Sequence, residues 1–265
     1  MAGTSRAGQL RDPYLQAVAL NSLAVNALRV FHFDEAVTLA TQALHFADQA
    51  GAERVRSSAL SNLGAGNAYL GDFEKAQAYS EKAVAIREKM GDVLGLQSIL
   101  GSLGGVYMLE GDARKAIPYY RRALAEARQL HAESYASVWA ANLAEALAEA
   151  GDWDAAEQLS VQQNGDQDEQ TRLSALQTRA EIAAGRKQFV EAERLLTEIV
   201  HSAPSNPAQL WEAHAGLGDL YGETGQRQKA GEHFDKAISL MERTRSEVFQ
   251  AEHRATYLSR WIRFY

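Results

Sequence analysis

Apolar and small residues recur along the chain at a helical spacing that is broken at regular intervals. In the stretch 60–69, two leucines, Gly64, Ala68 and Tyr69 fall at helical spacing. Gly71 then ends this helix, because glycine suits a left-handed C-cap, and Asp72 is placed to cap the helix that follows over 73–86. The same order recurs before and after this stretch, so the pattern predicts an all-α chain of helix pairs.

The period of the pattern is visible in one alanine of each pair. Ala36, Ala76, Ala116 and Ala156 stand forty residues apart, and Ala192 and Ala230 follow at shorter spacings. A fixed period of this size is typical of a repeat protein. We predict twelve helices in an array over 13–243, with units of about 17–56, 57–96, 97–136, 137–172, 173–210 and 211–243. Residues 1–12 are expected to be flexible, 162–170 to form a polar loop, and 244–265 a C-terminal capping or connector helix.

Composition and charge exclude several classes of partner and site. The net charge of −7 argues against a nucleic-acid surface, and the absence of cysteine excludes disulfides and thiolate metal sites in this sequence. The N-terminus lacks the apolar core of a signal peptide, and we expect no run to approach membrane-spanning length. We therefore expect a cytoplasmic protein that binds neither nucleic acid nor membrane.

The recurring order of Leu-Gly, Tyr, Gly-Asp, Ala, aromatic and Ala resembles the tetratricopeptide repeat (TPR) family, most clearly in the second, third and sixth units. The resemblance implies a right-handed superhelical solenoid of about six helix pairs, with the first helix of each pair lining an inner groove. Gly64, Gly104 and Gly218 are expected where two helices touch. The forty-residue spacing is similar to that of the kinesin-light-chain branch.

One position of the first helices, directly before the leucine of Leu-Gly, is polar in five of six units. Amides and hydroxyls can hydrogen-bond the main chain of an extended peptide without reading its sequence. Asparagines have this role in kinesin-light-chain repeats, which the resemblance extends to this chain. The alternative is that these side chains only cap or solvate the helices. The residues are Ser22, Asn62, Ser102, Asn142, Thr178 and Gly216.

Two further positions change character along the array. Both are mostly apolar or small in the first three units and mostly acidic in the last three, which predicts a partner with an apolar segment and a basic segment. A solvated acidic face is the alternative. The first of these positions holds Val25, Ala65, Gly105, Glu145, Glu181 and Asp219; the second holds Arg29, Tyr69, Leu109, Glu149, Gly185 and Glu223. The basic residues of a chaperone-type carboxylate clamp are not present at these positions.

Catalytic and metal-binding patterns were sought and not found. The seven histidines are dispersed and form no i,i+4 pair, and no phosphate loop or nucleophile elbow occurs. The predicted chain is not an enzyme and has no catalytic residues, cofactor or metal.

The end of the chain is rich in aromatic residues and arginine. It resembles the connector between TPR arrays and caspase-like CHAT domains of bacterial proteins, with Arg245-Ser246, Arg254-Ala255 and Tyr265 at the matching positions. The resemblance implies that this chain is the front part of a larger protein with a covalently linked downstream domain. The alternative is a helix that caps the last unit.

These patterns lead to one functional prediction. The chain is expected to be a protein- or peptide-binding scaffold or regulatory module that recognises an extended segment of a partner in its groove. Two alternatives stay open: a self-associating assembly scaffold, and a receptor for a signalling peptide.

Overall fold

The computed structural model describes residues 12–161, 169–202 and 207–247, and this part of the chain contains twelve α-helices and no strand. The prediction of an all-α fold is confirmed. The helices form six consecutive pairs, here called repeats 1 to 6. Their bounds are α1 Pro13–Arg29, α2 Phe33–Ala50, α3 Glu53–Tyr69, α4 Phe73–Met90, α5 Val93–Glu110, α6 Ala113–Gln129, α7 Glu133–Glu149, α8 Trp153–Val161, α9 Glu169–Gly185, α10 Phe189–Ser202, α11 Pro207–Glu223 and α12 Arg227–Glu247.

All six repeats keep the same internal register. Each first helix begins four residues before the unit boundary predicted from the sequence, at residues 13, 53, 93, 133, 169 and 207. The recurring alanine is the fourth residue of every second helix. All six of these alanines are buried, because each lies where its helix packs against the core: Ala36, Ala76, Ala116, Ala156, Ala192 and Ala230.

The turns between helices follow the predicted capping chemistry in part. Gly71 adopts a left-handed backbone with φ of 81°, and the Asp72 carboxylate accepts a hydrogen bond from the Lys75 amide at 3.2 Å. Phe31, His131 and Lys187 also have φ between 52° and 62°, a region that costs a side-chain-bearing residue free energy. Repeats 1 and 5 therefore make the turn within the helix pair without glycine, and so does the connection between repeats 3 and 4 at His131.

Close helix packing explains two of the predicted contact glycines. A Cβ atom on Gly104 would lie 2.7 Å from the ring of Tyr120, and one on Gly218 would lie 2.6 Å from the ring of Phe234. Real Cβ contacts are longer, so each glycine lets an aromatic ring of the second helix lie flat against the first. The prediction that these glycines lie at helix contacts is confirmed.

The described chain divides into two compact units, which we call the N-terminal unit (residues 12–139) and the C-terminal unit (140–247). The boundary falls within α7. Each unit has its own core of alanine and leucine. In the N-terminal unit a main cluster includes Leu20, Leu60 and Leu63, and in the C-terminal unit it includes Leu195, Leu217 and Ile199.

Helix α5 corrects one expectation. Among the described residues it is the one helix long and apolar enough to cross a membrane by length and composition, with a mean hydropathy of 1.2 over 18 residues. Half of that window is buried inside the protein, and a buried core helix passes the same test. Leu96, Leu100 and Leu103 are among its buried residues, which accounts for its apolar character.

Some sequence predictions fall outside the described residues. These are most of the flexible N-terminal segment, most of the polar loop over 162–170, and the C-terminal helix beyond Glu247. Pro118 lies inside a helix, near the start of α6.

Candidate peptide-binding surface

The three positions singled out in the sequence occupy equivalent places in the structure. Because every first helix begins in register, they are the tenth, thirteenth and seventeenth residues of α1, α3, α5, α7, α9 and α11. We call them the ladder, middle and end positions. Successive turns separate the three, so within each unit they form rows across neighbouring first helices.

The ladder positions of the N-terminal unit already have hydrogen-bond partners. Asn62 donates through Nδ2 to the Oδ1 of Asn21 on the preceding first helix at 2.8 Å. The hydroxyls of Ser22 and Ser102 donate to the carbonyls of Val18 and Ser98, one turn earlier in the same helix. The amide therefore links two helices, while the two serines bond to their own backbone.

In the C-terminal unit the ladder is less accessible. Thr178 is buried and Asn142 is half-buried. Gly216 has no side chain, and a Cβ there would lie 3.1 Å from the Leu196 side chain. A main-chain clamp would therefore have fewer accessible groups here than the sequence pattern indicates.

The middle and end positions differ between the two units. In the N-terminal unit Val25 is 41% exposed, and Tyr69 stacks on Phe33 with ring centroids 4.4 Å apart. Ala65, Gly105 and Leu109 are half-buried. This surface is small, apolar and mostly uncharged, although Arg29 adds a positive charge at its edge.

In the C-terminal unit five of the six middle and end positions carry carboxylates, and the sixth is Gly185. Glu145, Glu149, Asp219 and Glu223 are exposed, whereas Glu181 is half-buried and accepts a hydrogen bond from Gln177 at 3.0 Å. Burial first, and then the negative charges of neighbouring carboxylates on α7 and α11, raise the pKa of Glu181 to about 7, although the hydrogen bond from Gln177 opposes the shift. The structure thus brings Glu145, Glu149 and Glu181 close enough to interact.

One member of this acidic group was missed in the sequence. Glu212, on α11, also raises the pKa of Glu181. It lies seven residues before Asp219, and a seven-residue spacing returns to nearly the same side of a helix. The spacing could have identified it, but only three positions per helix were compared.

A second polar group missed in the sequence lies between α11 and α12. The Nδ1 atoms of His214 and His233 are 3.1 Å apart, and Tyr221 packs beside His233 while its hydroxyl donates to Glu193 at 2.6 Å. Burial first, and then the neighbouring His233, lowers the pKa of His214 to about 4. A search for histidines one turn apart could not find this pair, because 19 residues separate its members.

In the part of the chain that the structure describes, no group of three or more His, Cys, Asp or Glu side chains is arranged to hold a metal ion.

Comparison with known families agrees with the repeat geometry. Profiles described as Tetratricopeptide repeat match residues 56–90, 95–162 and 212–242, which together are about half of the chain. The chain belongs to the tetratricopeptide repeat family. These matches include repeats 2, 3 and 6, where the Leu-Gly, Tyr and Gly patterns are clearest. No curated protein sequence matches the chain.

Solved TPR structures share the fold at low sequence identity. Aspartyl phosphate phosphatase F from Bacillus subtilis aligns with a TM-score of 0.70 and 15% identity, over 89% of this chain and 62% of that one. A Rap protein complexed with Competence and Sporulation Factor aligns with a TM-score of 0.68 and 12% identity, over 91% and 67%.

A third similar structure is a longer protein. The STAND signal-transduction ATPase with a tetratricopeptide repeat sensor, from Pyrococcus horikoshii, aligns with a TM-score of 0.66 and 17% identity over 92% of this chain. The present chain spans 40% of that protein's length. At these identities the likeness shows the fold alone.

The family assignment carries a general function. TPR arrays are protein-interaction scaffolds, and TPR proteins generally bind protein or peptide partners. The stacked helix pairs of this chain, with aligned side-chain rows on the first helices, are a scaffold of this kind.

Proposed function

We propose that this TPR chain binds an extended segment of a partner protein along its first helices, and that the acidic C-terminal unit takes a basic part of that segment. The observation that carries the proposal is the change at the middle and end positions. Five of the six are small, apolar or aromatic in the N-terminal unit, where Arg29 is the exception, and five of the six are carboxylates in the C-terminal unit, where Gly185 is the exception. A partner with lysine or arginine opposite these carboxylates gains orientation and a faster association rate.

The ladder positions have a smaller role in this proposal than the sequence suggested. Asn62 already bonds to Asn21, and two serines bond to their own helices. Peptide main chain would have to replace these bonds, so the net gain from each would be small. We therefore assign partner recognition mainly to the middle and end positions.

A wider setting is also proposed. The chain acts in the cytoplasm as the regulatory front part of a longer protein, whose downstream domain responds to occupancy of the first-helix surface. The terminal segment with Arg254 and Tyr265, similar to a CHAT connector, supports this reading. The STAND ATPase supports it too, because its TPR sensor is one part of a longer chain.

The second candidate function is a receptor for a short signalling peptide. The Rap structure of similar fold is complexed with Competence and Sporulation Factor. Both candidates use the first-helix surface, and they differ in whether the ligand is free or part of a protein.

A charge-reversal experiment tests the proposal. A displayed library of random peptides is selected against the wild-type chain, and the affinity of enriched peptides is measured at several salt concentrations. We expect lysine or arginine to be enriched. Reversing Glu145, Glu149 and Asp219 to lysine should weaken binding and remove most of its salt dependence, because the attracting charges are lost.

The control variant reverses three exposed glutamates on second helices, Glu74, Glu81 and Glu242, and so changes the net charge equally. It should bind like the wild type. If the two variants weaken binding equally, overall charge and not the first-helix surface explains the affinity.

A further inference from the structure

We propose that His214 and His233 form a binding site for a divalent transition-metal ion such as Zn²⁺, with the two Nδ1 atoms as ligands. The Nδ1 atoms lie 3.1 Å apart, and the ring centroids are 5.1 Å apart. Two nitrogens bound to tetrahedral zinc at 2.0–2.1 Å would be about 3.3–3.4 Å apart. The two rings need to separate by only a few tenths of an ångström to admit an ion.

His214 and His233 occupy positions that are apolar or aromatic in the other repeats, which indicates a role other than packing. His214 is the eighth residue of its first helix. In the other five repeats this position is a buried leucine or alanine: Leu20, Leu60, Leu100, Ala140 and Leu176.

The partner position shows the same contrast. His233 is the seventh residue of its second helix, where the other repeats have leucine or tyrosine: Leu39, Tyr79, Tyr119, Leu159 and Leu195. In repeats 1 to 5, apolar or aromatic side chains thus occupy both positions. Repeat 6 replaces both of them with an imidazole, and the two imidazoles meet.

The 3.1 Å contact between the two Nδ1 atoms is a hydrogen bond, so at least one of the rings offers a lone pair there. Metals bind imidazole through such a lone pair. Without metal, one Nδ1–H donates to the other Nδ1. On binding, that proton moves to the Nε2 of its own ring, so both Nδ1 lone pairs face the ion and the pair releases no proton.

His214 also lines an open pocket. Its volume is about 410 Å³, and its walls include Asp235, Lys236 and Ser239. Water can fill the remaining coordination positions there. Lys229 and Lys236 face His233 with positive charge and Glu193 and Glu232 with negative charge, so the local charges largely offset one another. The described residues place no third histidine or carboxylate as a ligand, so the proposed ion is exchangeable.

Zinc titration of the full chain tests the site. Isothermal titration calorimetry with ZnCl₂ in a non-chelating buffer should show one site in the wild type. His214→Phe and His233→Phe keep a ring in place and remove one ligand. Each should weaken binding at least about tenfold, because even loss of an outer-shell partner costs 10–100-fold. His201→Phe, a control at an exposed histidine on α10, should bind like the wild type.

A second readout identifies the ligands directly. The electron paramagnetic resonance spectrum of the Cu²⁺-loaded chain should show coupling to two nitrogens, falling to one in either phenylalanine variant. If both variants bind zinc as the wild type does, or if the wild type binds no more tightly than a variant that combines His214→Phe with His233→Phe, the proposal is wrong. In that case the pair is only a neutral hydrogen bond.

Discussion

The N-terminal and C-terminal units are built from the same helix pair but place different chemistry in equivalent positions. On the first helices, the middle position is Ala65 and Gly105 in one unit and Glu181 and Asp219 in the other. On the second helices, the fifteenth residue is a buried arginine, Arg87, in repeat 2 and a buried methionine, Met241, in repeat 6. The backbone pattern thus accommodates chemically different side chains at equivalent positions.

Arg87 shows how the N-terminal unit accommodates a buried charge. Its guanidinium donates to the hydroxyls of Ser57 and Ser58, to the Arg54 carbonyl and to the Asp92 carboxylate. Burial alone would raise the pKa of Asp92, but bonds from the Gly95 amide and from Arg87 hold it below its usual value. The Arg87 guanidinium is thus the shared hydrogen-bond donor of this cluster.

The largest expected effect comes from replacing Arg87. Arg87→Met installs the residue that repeat 6 uses, but it should lower the free energy of unfolding by about 3 kcal/mol, because the guanidinium bonds to Ser57, Ser58 and Asp92 are lost at a buried position. Asp92 keeps the Arg54 guanidinium at 3.1 Å and the Gly95 amide, so its charge is not left unpaired. Denaturant unfolding followed by circular dichroism measures this. The control Met241→Leu conserves volume and should cost less than about 1.5 kcal/mol. If both variants lose the same free energy of unfolding, the hydrogen bonds of the Arg87 cluster add no stability beyond that of ordinary packing.

The next effect concerns the raised pKa of Glu181 and depends on pH. The folded chain holds the Glu181 proton up to about pH 7, whereas the unfolded chain loses it near pH 4.5. The folded state therefore binds more protons between these values, so this residue makes stability fall as pH rises through that window. At pH 8, Glu181→Gln should be more stable than the wild type by roughly 1–3 kcal/mol, and at pH 4 the two should be nearly equal.

The same measurement on Glu223→Gln provides the control for Glu181. Glu223 is an exposed carboxylate at an end position, and its replacement should change stability by less than about 0.5 kcal/mol at either pH. A Glu181 variant that shows no pH dependence would mean that the middle position is as well solvated as Glu223.

The smallest effect is expected at the turns, where the two units behave alike. His131 and Lys187, one in each unit, adopt the left-handed backbone that Gly71 adopts without strain. His131→Gly and Lys187→Gly should each stabilise the fold by about 0.5–1 kcal/mol, because relief of the steric penalty exceeds the added chain entropy. Thermal unfolding would detect this. Destabilisation by both variants would show that the side chains contribute contacts larger than the backbone penalty.

The sequence predicted the fold well, because the same helix and turn pattern recurs in six repeats and each repeat supports the assignment made in the others. The alanine register and the Gly-Asp turns recur, so a helix start misplaced by four residues did not alter the relation of one repeat to the next. The candidate surface was less predictable. Equivalent positions could be aligned from the sequence, but the hydrogen bond from Asn62 to Asn21 requires knowledge of neighbouring helices.

Contacts across long sequence separations account for the remaining misses. Glu212 reaches Glu181 from another repeat, and His214 meets His233 across a helix pair. Periodicity identifies which face a residue occupies but not which side chain it meets there. Comparing each position across all six repeats would have revealed both histidines as departures from an apolar pattern.

We propose that the two units differ in what they bind, and nuclear magnetic resonance can detect this difference residue by residue. A ¹⁵N-labelled chain is titrated with an unlabelled peptide of alternating alanine and lysine, and then with the matching peptide of alanine and glutamate. We expect the lysine peptide to shift resonances on α9, on α11 and near Glu145 and Glu149, and these shifts should be lost when Glu145, Glu149 and Asp219 are reversed to lysine. Equal shifts from both peptides, or shifts concentrated on the second helices α8, α10 and α12, would contradict it.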